Sequence, residues 1–508
     1  VVQGEESDDE GEKEEGKKRK QEDERENKEE RLDQEGQRME ASAYSTSWPA
    51  KGGTKRQIEE DQEADINSLE VVSLVGEWVT EVQSLTVTDK GEYEAWDDLS
   101  GKKLPQEGVR LARKEEVGYM EGRKLWTQRP VKECWEKTGK APVSVRWVDI
   151  NKGGKGKTYE EYLRLMDLRS RLVARDFKGG EMGRDDLFAG TPPLEAKRML
   201  LSRAMTRRKD GRRRKLLFID ARKAHLNSKC EEDVYVELPE ECGCPPGVCG
   251  KLNNWLYGFR PAAAAWEKFY SDKFESVGFE RGISCGVVFY HKGRDISMAV
   301  HGDDFTLTGL EEDLIWIRDL MKSWFEIKVR AMLGPDPKDD KEVVILGRTV
   351  KWIGNGESSQ IEYEADEKHR DKILEHFGMD EGTRPLTSNG EKSPKDEEGD
   401  LEDLNKEEAT IFRGLAARLN FLSLDCPDLQ FGSKPSSRNM ATPKVGSWSS
   451  LKKVARYLLN RKRVVWVYEL QDEPKKSHLA TDSDWGGNSA DRKSTSGGVW
   501  LMGKHCIK

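Results

Sequence analysis

The stretch Val300-His301-Gly302-Asp303-Asp304-Phe305 places two adjacent carboxylates between two short apolar runs. Each run has the length and composition of a β-strand, and the polar residues between them predict a tight turn. Adjacent side chains on a strand point to opposite faces, whereas at a turn they can converge. Two carboxylates this close repel each other unless solvent or a cation neutralises them. The stretch predicts either a metal-binding hairpin or an ordinary Asp-rich turn.

A third carboxylate ends another apolar run, Lys215-Leu216-Leu217-Phe218-Ile219-Asp220, which also has the character of a strand. If this strand lies beside the hairpin, Asp220, Asp303 and Asp304 together provide the hard oxygen ligands that suit Mg²⁺ or Mn²⁺. Two such ions about 4 Å apart can activate an attacking hydroxyl and stabilise a leaving group. We therefore take these three residues as candidate metal ligands and catalytic residues.

The rest of the chain from about residue 95 predicts alternating strands and helices. Residues 141–148 and 171–177 predict a strand pair, with a Gly- and Lys-rich turn at 151–157 after the first strand. A helix is expected from Pro261, with Gly278 just past its end. Further helices are expected at 194–205, 314–324, 412–424 and 451–459, and further strands at 287–290, 296–301, 305–309, 463–469 and 480–485.

Six segments occur in one order that resembles the reverse transcriptase of copia-type LTR retrotransposons: residues 172–177, 219–227, 231–239, 256–266, 300–309 and 482–497. The run Arg171-Leu172-Val173-Ala174-Arg175-Asp176-Phe177 is similar to the family's Arg-Leu-Val-Ala-(Lys/Arg)-Gly-Phe. The run from Leu256 to Trp266 is similar to Leu-Tyr-Gly-Leu-Lys-Gln-Ala-Pro-Arg-Ala-Trp, and the run from His301 to Asp304 is similar to Tyr-Val-Asp-Asp. The resemblance extends from about residue 95 to residue 508.

The resemblance implies an α+β fold: a right-hand polymerase with fingers, palm and a partial thumb-connection, an antiparallel palm sheet and a truncated RNase H-like α/β segment. The implied divisions are fingers at 95–215, palm at 216–379, a linker at 380–408, thumb-connection helices at 409–470 and the start of RNase H at 471–508. Before them we expect a disordered charged region at 1–70, because it lacks apolar periodicity, and a linker at 71–94.

The resemblance also implies roles for individual residues. Asp220, Asp303 and Asp304 would hold the metal ions, and the carbonyl of Ala221 would touch the incoming triphosphate. Arg171 and Arg175 would grip triphosphate oxygens as charge-assisted donors, although solvated strand charges are an equal alternative.

The implied activity is RNA-directed DNA polymerisation. The implied partners are an RNA template, a DNA primer, dNTPs and other segments of a parent polyprotein, such as an integrase, a protease and a Gag-like protein. The implied location is a cytoplasmic virus-like particle, the nucleus or both.

Three substitutions depart from the family pattern. His225 stands where the family has an aromatic residue that excludes the ribose 2′-hydroxyl, and His301 replaces the Tyr of the Tyr-x-Asp-Asp hairpin. Pro261 replaces the Gln that would approach the template–dNTP pair. These changes leave a second hypothesis open, in which the chain is a decayed, non-catalytic remnant that retains at most nucleic-acid binding.

The RNase H resemblance is incomplete. Asp482 is the candidate first metal ligand of that domain, with Asp484 as a second candidate. The sequence stops at Lys508, before the further carboxylates that hydrolysis needs. We therefore expect no RNase H activity from this chain.

Charge and cysteine content set further expectations. Residues 1–70 hold 12 Lys and Arg against 23 Asp and Glu, whereas residues 101–220 hold 31 against 17. The second segment could neutralise phosphates. The run Lys17-Lys18-Arg19-Lys20 is either a nuclear localisation patch or a solvated charge run. Cys242, Cys244 and Cys249 predict a loop rather than a zinc site, and no apolar run is long enough to cross a membrane.

Overall fold

The computed structural model describes residues 95–153, 167–176, 187–380, 382–388, 402–461, 463–487 and 492–508. The predicted disordered region at 1–70 with its Lys17–Lys20 patch, the linker at 71–94 and most of the predicted linker at 380–408 lie outside these residues. Among the described helices, none combines the length and apolar character that a bilayer crossing requires.

The described residues form twenty strands, numbered in chain order: β1 (Ala95–Trp96), β2 (Lys103–Leu104), β3 (Trp126–Pro130), β4 (Val145–Asn151), β5 (Leu168–Ala174), β6 (Lys215–Ala221), β7 (Tyr235–Glu237), β8 (Val248–Leu252), β9 (Glu280–Arg281), β10 (Val288–His291), β11 (Ile296–His301), β12 (Asp304–Gly309), β13 (Ile327–Leu333), β14 (Glu342–Ile345), β15 (Arg348–Ile353), β16 (Gln360–Ala365), β17 (Trp466–Glu469), β18 (Ser477–Ser483), β19 (Ser496–Met502) and β20 (His505–Cys506). The same residues form nine α-helices: α1 (Gln106–Gly122), α2 (Val131–Thr138), α3 (Leu194–Ala204), α4 (Ala262–Ser276), α5 (Glu311–Trp324), α6 (Lys368–His376), α7 (Lys406–Ser423), α8 (Pro427–Arg438) and α9 (Ser447–Leu458).

The central sheet has six strands in the order β13-β6-β12-β11-β10-β9, and every neighbouring pair is antiparallel. Strands β6 and β12 lie inside this sheet. The continuous apolar run of β6 and the burial of all six residues of β12 suit strands that are covered on both faces. Leu217 and Ile219 pack with α4 and α5 on one face, whereas Leu216 and Phe218 pack with α3 on the other. The core therefore holds β6 and β12 rigidly from both sides.

A second sheet, in the order β14-β15-β16-β17, packs against the same face as α3 through Val350, Trp352 and Tyr363. Its last strand comes from a distant part of the chain, because β17 pairs with β16 after four intervening helices, α6 to α9. Those four helices share a separate core around Phe412, Leu419 and Leu451. The prediction of a mixed fold with antiparallel sheets is confirmed, and its division into fingers, palm, thumb and RNase H remains a prediction.

The predicted pairing of two strands before residue 180 is confirmed, with shifted ends. Strands β4 and β5 are antiparallel, with Val145 opposite Ala174. The predicted first strand began four residues too early because Val143 exchanges backbone hydrogen bonds with β7 instead of β5. The predicted second strand began three residues too late, and Phe177 lies outside the described residues, as does most of the turn at 151–157.

Most predicted helices occur with small changes at their ends. Pro261 caps α4, and Gly278 follows it with φ +96°. Helix α7 begins at Lys406, inside the predicted linker, because the side chain of Asn405 accepts a hydrogen bond from the amide of Glu408. Helix α8 was not predicted, because its sequence contains Gly432 and an internal Pro435.

Candidate active site

The predicted hairpin at residues 300–305 joins β11 to β12. His301 lies directly opposite Asp304, so the turn consists of Gly302 and Asp303 alone. Gly302 has φ +62°, while Asp303 is not among the residues with positive φ. A glycine at the first of two turn positions is the pattern of a type II′ hairpin. The indole Nε1 of Trp266 on α4 donates a 3.0 Å hydrogen bond to the carbonyl of Gly302, which anchors the turn.

Asp220 lies beside this turn, at the end of β6. It is the direct cross-strand partner of Asp304, and directly opposite residues carry their side chains on the same face. The amide of Ala221 donates a 2.8 Å hydrogen bond to the carbonyl of Asp303. The structure therefore brings Asp220, Asp303 and Asp304 together at one end of the central sheet, and we call these three residues the carboxylate cluster.

The electrostatics of the carboxylate cluster reflect its burial and its crowded charges. Only 3% of Asp304 is exposed. Burial, opposed by Arg330 and reinforced by Asp303 and Asp220, raises the pKa of Asp304 to about 6. Burial and the charge of Asp220 likewise raise the pKa of Asp303. The cluster thus holds more negative charge than its surroundings neutralise, which favours binding of a cation.

Arg330 on β13 supplies part of the missing positive charge. Its Nη2 lies 2.9 Å from Oδ1 of Asp220 and 3.5 Å from Oδ1 of Asp304, and its side chain is 32% exposed. Arg330 was not predicted from the sequence, because residues 327–333 were not recognised as a strand. The alternation Ile327-Lys328-Val329-Arg330-Ala331 is the signal that could have revealed it.

The donor chemistry of the carboxylate cluster fits a divalent cation. Oδ1 of Asp304 is buried and has no hydrogen-bond partner among the described residues, and carboxylate oxygens are the ligands that Mg²⁺ prefers. Within the described ranges, no three His, Cys, Asp or Glu side chains are spaced as a ready metal cage. Ion binding would therefore require these side chains to rotate and Arg330 to withdraw.

Arg171 and His225 flank the cluster through a shared neighbour, Tyr257. The guanidinium carbon of Arg171 lies 5.4 Å from the centre of the Tyr257 ring, and the imidazole of His225 lies 5.1 Å from it. Burial, with a contribution from Arg171, lowers the pKa of His225 to about 4. The charge of Arg171 also acts on Asp303. Tyr257 was not singled out from the sequence, although it belongs to the Leu256–Trp266 motif.

The other predicted site residues have less direct relations to the cluster. Arg175 is exposed just after β5, and its amide donates to the carbonyl of Ser144. Ala221 is buried at the end of β6. Pro261 begins the helix that carries Trp266, and its carbonyl accepts the amide of Ala265. The roles of these three residues toward a nucleotide stay predictions.

The RNase H candidates lie apart from the central sheet, at the end of β18. Asp482 is exposed opposite Gly497. The Asp484 carboxylate accepts hydrogen bonds from the amides of Thr495 at 2.6 Å and Gly487 at 3.3 Å. Asp484 therefore organises its own turn, and a metal-binding role for either residue stays a prediction.

Comparison with known proteins supports one family. Residues 135–334 match the protein-family model described as reverse transcriptase (RNA-dependent DNA polymerase). This range contains β6, β11 and β12 and therefore the whole carboxylate cluster.

Relatives among curated proteins include the retrovirus-related Pol polyproteins from transposons RE2 and RE1 of Arabidopsis thaliana, at 26% and 25% identity over 375 residues. They also include that from transposon TNT 1-94 of Nicotiana tabacum, at 25% identity over 378 residues. These alignments cover 71–72% of this chain but only 23–26% of the relatives. The chain thus spans about a quarter of the length of the curated relatives it matches. Residues 135–334 are thus similar to a reverse transcriptase domain, and the chain is similar to the Pol polyproteins of copia-type LTR retrotransposons.

Proposed function

We propose that this chain is an RNA-directed DNA polymerase that adds dNTPs to a primer 3′-hydroxyl at the carboxylate cluster. The observation that carries the proposal is the convergence of Asp220, Asp303 and Asp304, from two adjacent strands and one turn, inside the range that matches the reverse transcriptase family. The excess negative charge of the carboxylate cluster favours the binding of divalent cations.

Different residues of the chain would have different roles in nucleotidyl transfer. Mg²⁺ or Mn²⁺, when bound, would activate the primer hydroxyl and neutralise charge on the leaving pyrophosphate. Asp220, Asp303 and Asp304 would hold the ions, and the II′ turn would fix Asp303 against β6. Arg171, which lies close enough to act on Asp303, would donate to triphosphate oxygens. Arg175 and the backbone of Ala221 would line the same nucleotide.

His225 and Tyr257 would border the sugar of the incoming nucleotide. His225 lies four residues after Ala221 in sequence, and its ring is tilted by 40° against the ring of Tyr257. Because His225 stays neutral at physiological pH, it would act by shape rather than by charge. Pro261 would act indirectly by starting the helix whose Trp266 anchors the turn.

The alternative function, a remnant that binds nucleic acid without catalysis, is favoured by the replacements at His225, His301 and Pro261. Burial, with contributions from Lys197 and Arg348, lowers the pKa of His301 to about 4. His301 is therefore a neutral group beside Asp304, so it leaves the charge of the cluster unchanged. The intact cluster favours the enzyme over the remnant.

Extension of an oligo(dT) primer on poly(rA) in the presence of Mg²⁺ tests the proposal. Template-directed incorporation of dTTP, absent when the template is omitted or EDTA is added, is the expected result. Binding of the primer–template without any extension would identify the remnant instead. The proposed partners are an RNA template, a DNA primer, dNTPs and further segments of a parent polyprotein, and the proposed locations are a cytoplasmic particle and the nucleus.

A further inference from the structure

A wide cleft of about 780 Å³ opens at the opposite end of the central sheet from the carboxylate cluster. Its wall includes the turn before β11 and the residues just before β6. Strand β11 runs from this cleft to His301, and β6 runs from it to Asp220. At about 3.3 Å per residue, the cleft lies roughly 20 Å from the cluster. A nucleotide held at Asp220 therefore cannot also fill the cleft.

The cleft is strongly cationic, and we call it the basic cleft. Eight of its nineteen lining residues are Lys or Arg, and three are Asp or Glu. Three of the arginines, Arg203, Arg208 and Arg214, converge on the single carboxylate of Asp295, with Nη2 of Arg214 at 2.7 Å. These guanidinium groups are only 11–33% exposed. Arg208 also pairs with Asp210 at 2.9 Å. Two carboxylates therefore serve three partly desolvated guanidinium groups, so an additional anion would relieve their repulsion.

Lysines without carboxylate partners add to this surplus. Lys475 and Lys476 line the facing wall, and Lys292 lies on the turn that follows β10. All three are exposed, and none forms an ion pair with any residue of the described ranges. The basic cleft thus contains three partly buried guanidinium groups and three exposed ammonium groups that a ligand can contact.

The two walls are fixed to each other by buried hydrogen bonds. The amide of Gln471, four residues before Lys475, donates to the carbonyl of Met205 at 2.9 Å. The amide of Arg207 donates to the carbonyl of Gln471 at 2.8 Å. The side chain of Gln471 is 5% exposed and also bonds Nδ1 of His505 at 2.9 Å. The basic cleft is therefore preformed, which lowers the entropic cost of binding.

We propose that the basic cleft binds the phosphodiester backbone of a nucleic acid, at a site separate from the carboxylate cluster. That the ligand is a nucleic acid rests on the proposed function. That the ligand is an anion rests on the excess of cations in the cleft. Several cations spread across a wide cleft suit a chain of regularly spaced phosphates, whose binding releases counterions. Free polyphosphate shares this chemistry, and an acidic polypeptide is the competing class of ligand.

Anisotropy of a fluorescein-labelled RNA–DNA hybrid, titrated with the full chain in EDTA at several salt concentrations, tests this proposal without catalysis. The variant Lys475→Glu/Lys476→Glu should bind about tenfold more weakly, and its slope of log affinity against log salt should fall by about one to two. The matched control is Lys406→Glu/Lys452→Glu, which makes the same charge change at exposed lysines outside both the cleft and the basic segment 101–220, and should bind as the wild type does. Lys292→Glu, on the opposite wall, serves as a second test if the double variant does not fold.

Unchanged affinity and salt slope in both cleft variants would overturn the proposal. Displacement of the hybrid by polyglutamate of equal charge would overturn it in favour of an acidic polypeptide. Displacement by tripolyphosphate at equal phosphate concentration would assign the cleft to free polyphosphate. Absence of primer extension together with the expected loss of binding would contradict the proposed polymerase and leave the basic cleft supported.

Discussion

Asp220 and Asp304 face each other directly across the antiparallel pair β6–β12. Like charges directly opposite destabilise a sheet unless a cation lies between them. In this chain Arg330 contacts both carboxylates from β13. The arrangement makes the end of the central sheet a place where a resident guanidinium and an added metal ion would compete for the same oxygens.

Replacing Arg330 with Gln should shift this competition toward metal. Without metal the variant should lose about 1–2 kcal/mol of unfolding free energy, because the carboxylates lose a charged hydrogen-bond donor. Mg²⁺ should restore the free energy of unfolding of the variant. The Mg²⁺ concentration that gives half of this stabilisation should be several-fold lower in the variant than in the wild type. Urea unfolding in EDTA and across a Mg²⁺ series measures both effects.

Arg110→Gln is the matched control for this experiment, because Arg110 pairs with Glu107 on an exposed helix surface. Exposed pairs contribute little to stability, so this control should change the free energy of unfolding by less than about 0.5 kcal/mol. An Arg330 variant with the same Mg²⁺ dependence as the wild type would show that the guanidinium does not compete with metal.

His225 should make the fold sensitive to acid. Its pKa is lowered to about 4 in the fold, first by burial and then by Arg171, whereas an unfolded His titrates near 6.5. The unfolded chain therefore binds a proton that the folded chain rejects. This contribution to stability is complete above pH 6.5 and is lost as the pH falls toward 4, up to about 3 kcal/mol. His225→Phe should lose less stability than the wild type between pH 7 and pH 4.5, measured by urea unfolding.

His478→Phe is the control for the acid experiment, because His478 is exposed on β18. It should follow the wild-type pH dependence. If His225→Phe also followed that dependence, the imidazole of His225 would not be held neutral in the fold.

His225 should also set the choice between sugars if the proposed function holds. A smaller side chain at this position would leave room for a 2′-hydroxyl, so His225→Ala should lower the preference for dNTPs over rNTPs by about tenfold, and His225→Phe should raise it. A tenfold change corresponds to about 1.4 kcal/mol, within the range of a modest steric contact. Competing single-nucleotide incorporations measure the ratio, and an unchanged ratio in both variants would remove His225 from the sugar pocket.

Much of the site was predictable because its signals are local. Asp220 ends an apolar run, and Asp303 and Asp304 stand at a turn between two others, so strand and turn chemistry alone indicated where these side chains would be. Arg330 was not predictable in the same way, since its role depends on β13 pairing with β6, more than a hundred residues earlier. Helix α8 was not predicted because Gly432 and Pro435 have low helix propensity. The helix forms nevertheless, because Leu429 packs in the core that it shares with the neighbouring helices.

Asp425 should be a main support of the fold although it lies outside the site. It is 0% exposed and accepts hydrogen bonds from Arg198 of α3 at 3.1 Å and Arg348 of β15 at 2.8 Å. Asp425→Asn would remove the charge of the carboxylate that both buried guanidinium groups contact, and we expect a loss of about 3–5 kcal/mol of unfolding free energy. Asp428→Asn, which removes a more exposed carboxylate that accepts from Tyr457, should cost about 1 kcal/mol.

Thermal and urea unfolding of the two Asp variants give this comparison directly. Equal losses in Asp425→Asn and Asp428→Asn would mean that the buried pair of arginines does not depend on the charge of Asp425. A larger loss in Asp425→Asn is the expected outcome.

Nucleotidyl transfer at the carboxylate cluster is best tested by the rate at which Asp303→Asn adds a single nucleotide. Asp319→Asn is the matched control, because Asp319 is an exposed carboxylate on α5. The wild type and the control should extend a DNA primer on an RNA template with Mg²⁺ at similar rates, whereas Asp303→Asn should be slower by at least about a hundredfold. Extension by the wild type that persists unchanged in Asp303→Asn would show that the cluster does not perform the transfer.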